Sequence, residues 1–197
     1  MKLPLTASQT VGPFYHYALD RPQWTDLTRY GAKGEKIRVT GRILDGDGKP
    51  CPDAFLELWQ ANAEGRYNHP ADDQDKKLDP RFVGFGRVGA DAKGKYSFVT
   101  IRPGAVPGRG NAMQAPHIAV NLFARGLLKH VATRIYFPDH AEANEADPVL
   151  GAIDDPAQRA TLIARRAKPT KVGRAMLPTY RFDIVLQGPG ETAFLDI

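Results

Sequence analysis

The chain has 197 residues, with 27 Lys and Arg against 22 Asp and Glu for a formal net charge of +5, 42% hydrophobic and 25% charged residues. This mix excludes a chain disordered throughout, and the length suits one sizeable domain better than two. A single cysteine, Cys51, excludes an internal disulfide framework and a Cys-based zinc site.

The 19 glycines and 16 prolines favour a turn-rich, mainly β fold. Basic residues are dispersed apart from Arg165, Arg166 and Lys168, which read as a helix end where cations suit the dipole. No groove-reading motif accompanies the charge, so nucleic acid is not an expected partner. Met1 to Ala7 lacks the apolar run of a signal peptide, and no run of about 18 apolar residues occurs, which predicts a soluble, cytoplasmic chain.

Residues 1–35 read as an aromatic, Pro-punctuated arm too irregular for a strand or helix. Its rings (Phe14, Tyr15, Tyr17, Trp24, Tyr30) need burial on the body or on a partner chain. A sandwich domain is expected over 36–197. Ile37, Val39, Gly41 and Ile43 alternate with polar residues as a half-buried strand, ending in an Asp45-Gly46-Asp47-Gly48 turn. Ala54 to Gln60 forms the next strand, and the long polar loop after it is a candidate site-former. Strands over 82–88 and 96–101 flank a hairpin connection, Asp91 to Gly94, and two more follow at 118–123 and 129–137. The main helix starts at Asp155-Pro156 and continues past Ile163 and Ala164. A shorter one starts at Asp147-Pro148, and two β segments, 180–187 and 191–197, end the sequence. Short strands with late helices predict an antiparallel sandwich.

Two motifs mislead. Gly84-Phe85-Gly86-Arg87-Val88-Gly89 fits a dinucleotide fingerprint, but no helix follows it, so its glycines read as bulges or points of close backbone approach. Asp45-Gly46-Asp47-Gly48 resembles the start of a calcium loop but has Leu56 where the twelfth-position glutamate is needed. Asp72 and Asp73 read as a solvated loop. Strand alternation puts His117, Ala119 and Asn121 on one face, and the methyl group of Ala119 denies that face a second imidazole.

Several segments in order, Phe55 to Asn62, Gly65-Arg66-Tyr67, Leu78-Asp79-Pro80, Arg102-Pro103-Gly104, Pro116-His117-Ile118 and Tyr180 to Ile184, resemble the intradiol ring-cleavage dioxygenases. The resemblance is to their heteromeric, protocatechuate-cleaving members. Ser8 to Phe14 and Gly190 to Asp196 resemble the alpha-type chain of such a heteromer. The resemblance implies a mixed-topology β-sandwich and ferric iron held by two tyrosinates and two histidines in a beta-type partner subunit. At the corresponding positions this chain has Gln74, Val106, His117 and Ala119, so three of the four ligands are missing. It implies that this chain holds no iron and no catalytic residue of its own. By the same analogy Thr10, Gly12, Pro13 and Arg134 line the partner's substrate pocket. Two rivals stay open: a self-sufficient enzyme drawing ligands from Tyr67, His69 and His117, and a non-enzymatic binding module.

Overall fold

The computed structural model describes residues 5–12, 14–110 and 112–196. The arm carries α1 (Phe14–Leu19) and a 3-10 turn (Pro22–Thr25). The strands are β1 (Lys36–Leu44), β2 (Phe55–Trp59), β3 (Phe85–Gly89), β4 (Lys95–Ile101), β5 (Val106–Pro107), β6 (Met113–Gln114), β7 (His117–Phe123), β8 (Val131–Tyr136), β9 (Arg165–Val172), β10 (Ala175–Arg181) and β11 (Ile184–Val185). Between β8 and β9 lie α2 (Ala141–Glu145), α3 (Pro148–Gly151) and α4 (Pro156–Ala160).

The strands form the two layers of a sandwich. One sheet has the order β3-β2-β7-β8, and the other is built around β1. Strand alternation supplies the core between them. Ile37, Val39 and Ile43 of β1 face Leu56 and Leu58 of β2 and Ile118, Val120 and Leu122 of β7, each at most 1% exposed. Burying such a side chain stabilises the fold by about 2 kcal/mol.

The topology is mixed, as the resemblance implies, rather than purely antiparallel as the strand pattern predicts: β1 runs antiparallel to β4 but parallel to both β10 and β11. Asp91 to Gly94 is not a hairpin connection, because β3 pairs with β2 while β4 pairs with β1, so this turn carries the chain from one sheet to the other. Asp45 forms a turn as expected, its Oδ1 accepting from the Asp47 and Lys49 amides at 2.9 and 2.8 Å.

The long helix expected from Asp155 stops at Ala160, and Arg165, Arg166 and Lys168 lie exposed on β9. Pairing of β9 with β10 takes these residues out of the helix, and Pro169 suits the strand. This proline removes a backbone donor and cannot sit inside a helix, but it fits an edge strand, where a register shift opposite Leu177 to Thr179 absorbs it. The short helix at Pro148 forms with Asp147 as its N-cap. Of the final segments, β10 extends back to Ala175, and among the described residues beyond β11 the β pairing is a single bridge from Leu195 to Ala132.

The arm is not irregular throughout. Leu27 and Ala32 are buried in the main core, and Tyr15 donates its hydroxyl to the Asp53 carbonyl. The glycines of the false fingerprint explain how it docks: a side chain at Gly86 would lie 2.5 Å from Leu27 Cδ1, and one at Gly89 would lie 2.7 Å from His16 Nε2. These glycines allow the arm close to β3, the reading the sequence favoured over a nucleotide site.

Candidate functional site

The face of the four-stranded sheet turned away from the core carries the polar residues. Register places Trp59 of β2 beside Ala119 of β7, and Ala119 beside Arg134 of β8. One rung further, His117 pairs with Tyr136, their rings 5.5 Å apart.

The loop after β2 folds over this row and is held by its own polar side chains. Asn62 Oδ1 accepts from the Glu64 and Arg66 amides, and its Nδ2 donates to the Lys77 carbonyl at 2.9 Å. Asp72, half-buried rather than solvated, accepts from the Tyr67 amide at 2.7 Å and the Gln74 amide at 3.0 Å. Burial opposes ionisation of Asp72, but these hydrogen bonds prevail and lower its pKa. Thus positioned, Tyr67 stacks on Trp59, with centroids 5.5 Å apart and planes 9° from parallel, and His69 meets Trp59 edge-on at 6.3 Å.

These residues line an open pocket of about 310 Å3, also lined by Gln74, Val106 and Pro107. Two of the four positions that the resemblance matches to iron ligands, Gln74 and Val106, therefore share one cavity, and Ala119 lies beside its Trp59 wall. His117 is 5% exposed, and its Nδ1 is 2.7 Å from the Ala115 carbonyl. Its pKa is lowered to about 4 by burial and then by the Arg134 charge, so the ring is neutral at pH 7.

This set does not suit ferric iron. That hard cation favours anionic oxygen, whereas Val106 and Ala119 offer no donor and Gln74 offers only a neutral amide oxygen, Oε1, which is buried without a hydrogen-bond partner among the described residues. Among the described residues no three His, Cys, Asp or Glu side chains gather as a metal site. Tyr67 and His69 line the cavity, but burial raises the Tyr67 pKa, working against the phenolate that ferric iron would favour.

The other expected site residues separate. Thr10 is exposed, and its Oγ1 accepts from the Gly126 amide at 2.8 Å, at the turn end of the β7–β8 pair and away from His117. Gly12 is also exposed, with open space where a side chain would be. Pro13 lies outside the described residues. Arg134, by contrast, sits on the Trp59 row.

Sequence reasoning missed Asp147 as a support of this region. The residue is 1% exposed and accepts from the Ala115 amide at 2.7 Å, the Val149 and Leu150 amides, and the Tyr136 hydroxyl at 3.2 Å. The capping signal was legible. The link to Ala115, 32 residues away, was not.

Residues 12–188 match the profile of the family described as Dioxygenase. The protocatechuate 3,4-dioxygenase alpha chain of Pseudomonas putida is 42% identical over 98% of this chain and 97% of its own length. The beta chain of the enzyme from Burkholderia cepacia is 40% identical over 96% of this chain and 78% of its own. Among solved structures, hydroxyquinol 1,2-dioxygenase from Pseudomonas putida DLL-E4 superposes with a TM-score of 0.64 at 21% identity. That alignment covers 93% of this chain and 68% of the other, a likeness of fold. Among the described residues no helix is long and apolar enough to cross a membrane.

Proposed function

Because the chain belongs to the intradiol ring-cleavage dioxygenase family, we propose that it is the alpha-type chain of an alpha-beta protocatechuate 3,4-dioxygenase. In this reading it pairs with an iron-bearing beta-type chain. The assembled enzyme opens protocatechuate between its hydroxyl-bearing carbons with dioxygen, giving 3-carboxy-cis,cis-muconate. This chain holds no iron, and Thr10, Gly12 and Pro13 of its N-terminal segment, with Arg134, complete the partner's pocket.

One observation carries the reading: the positions aligned with the family's iron ligands lack the donors that ferric iron needs, Val106 and Ala119 above all. Identity alone separates alpha-type from beta-type poorly, at 42% against 40%. Ser8 to Phe14 and Gly190 to Asp196, which resemble the alpha-type chain, support the alpha-type assignment. The exposure of Thr10 and Gly12 is compatible with a reach towards a second chain.

The test is expression of this chain alone and together with an iron-bearing beta-type homologue. The expected outcome is a colourless, inactive chain alone, and a co-purifying complex that contains iron and consumes dioxygen with protocatechuate. Stoichiometric iron and ring cleavage in the chain alone would falsify the reading.

A further inference from the structure

The sheet built around β1 ends in a projection. β10 pairs with β1 at Thr179, Tyr180 and Arg181, whereas β9 and β10 go on pairing with each other as far as Val172 and Ala175. Their far end therefore extends past the β1 pairing as a two-stranded ribbon. From Lys171 to Met176 every residue except the half-buried Val172 is exposed, and Met176 is 61% exposed. Two strands alone gain little from their pairing in water and are steadied by packing on a further surface.

The ribbon is also basic. Residues 165–174 include Arg165, Arg166, Lys168, Lys171 and Arg174 and no acidic residue. At its root Arg165 pairs with Asp183 and Arg166 with Asp139. Lys168, Lys171 and Arg174 are exposed and form no ion pair among the described residues. β9 is the end strand of its sheet, but its like charges and Pro169 guard that edge against pairing with another strand. A partner must therefore be held through side chains.

The complementary charge lies on the same chain. Residues 139–155 include six acidic residues and neither Lys nor Arg. Asp147 is buried and Asp139 meets Arg166. Glu142, Glu145 and Asp154 are exposed and form no ion pair among the described residues. The contact of Arg166 with Asp139 joins the root of the ribbon to the start of this acidic segment, so the two charged surfaces are neighbours.

We infer that the β9–β10 ribbon is a docking arm for a second copy of this chain. Lys168, Lys171 and Arg174 of one copy meet Glu142, Glu145 and Asp154 of the other, and a two-fold axis makes the exchange reciprocal. A single exposed ion pair adds little, but a reciprocal contact makes each one twice. The contact needs only this chain, so it stands or falls separately from the proposed pairing with a beta-type subunit.

The test is sedimentation velocity of the full chain at about 50 mM and about 500 mM NaCl. The expected result is a concentration-dependent dimer at low salt, with a dissociation constant raised about tenfold or more at high salt by screening. Lys168→Glu with Lys171→Glu, and separately Glu142→Lys with Glu145→Lys, each give monomers, because each change sets like charges against one another. Mixed in equal amounts, the two variants recover the dimer, since every contact again joins opposite charges. Carbodiimide coupling of mixed isotope-labelled and unlabelled chain tests the contact without a variant: Lys168 or Lys171 becomes joined to Glu142 or Glu145 across differently labelled copies. A chain that stays monomeric at low salt up to about 200 μM, a dimer indifferent to salt, or no recovery on mixing folded variants would each overturn the inference. So would coupling of the ribbon lysines to a co-expressed beta-type chain and never between copies.

Discussion

The outward face of the four-stranded sheet has two unlike ends. At one, His117, Arg134, Tyr136 and Asp147 form a dense polar network closed over by loops. At the other, the arm lies across Phe55 and the turn after β7, and its own Leu5, Phe14 and Tyr17 are 99%, 79% and 78% exposed. The difference teaches that one sheet face can divide its labour, with fixed charge and hydrogen bonding at one end and uncovered apolar surface at the other. Large exposed rings on this docked segment are the surface that the proposed pairing with a beta-type chain would cover.

The comparison is broken most directly at the polar end. Asp147→Ala leaves three backbone amides and the Tyr136 hydroxyl without their acceptor and should cost about 4 kcal/mol, read as a shifted urea midpoint. A loss below about 1 kcal/mol would mean that the network is not the support described here.

Next in size is the pH response of His117. Its folded pKa, about 4, is depressed below the ordinary 6.5, so the unfolded chain binds the proton more readily. Stability from this group is complete above about pH 6.5 and falls as pH drops towards 4, by about 3 kcal/mol. A His117→Gln chain should lack this component, and denaturation curves at pH 7 and pH 4.5 for both chains measure it.

The apolar end responds differently. Phe14→Ser with Tyr17→Ser should leave the stability of the isolated chain within about 0.5 kcal/mol, while weakening capture of a beta-type partner by about 2 kcal/mol, roughly thirtyfold. Equal capture by the double variant would assign these rings no role in pairing. The smallest effect is expected for Thr10→Ala, which removes one exposed acceptor from the Gly126 amide and should change stability by less than about 0.5 kcal/mol. A larger loss would show that the arm is pinned to its own body more firmly than its exposure implies.

Much of the fold was legible because alternation is a local signal. Ile37, Val39 and Ile43, and again Ile118, Val120 and Leu122, sit on the buried face that a period of two predicts. The helix at Asp155 was read too long because its cap is local, whereas its termination reflects pairing of β9 with β10, which propensity does not encode. The parallel pairing of β1 with β10 and β11 escaped for the same reason: alternation gives faces, not partners. At the site, that Val106 and Ala119 carry no donor is plain from the residues, whereas their match to ligand positions rests on the resemblance alone. That Arg134 stands on the Trp59 row depends on register across three strands, and the Asp147 to Ala115 bond on a loop closure, neither of which a single sequence specifies.

The parallel partners of β1 have a consequence for how the chain assembles. The Arg42 amide finds its acceptor on Asp183, 141 residues later, and the Phe182 amide closes back on Thr40. During synthesis β1 must wait with one edge open until almost the last strands emerge, so this sheet is a late and slow event governed by long-range search. The β2, β3, β7 and β8 sheet draws all its strands from 55–136 and can form while that edge is still waiting.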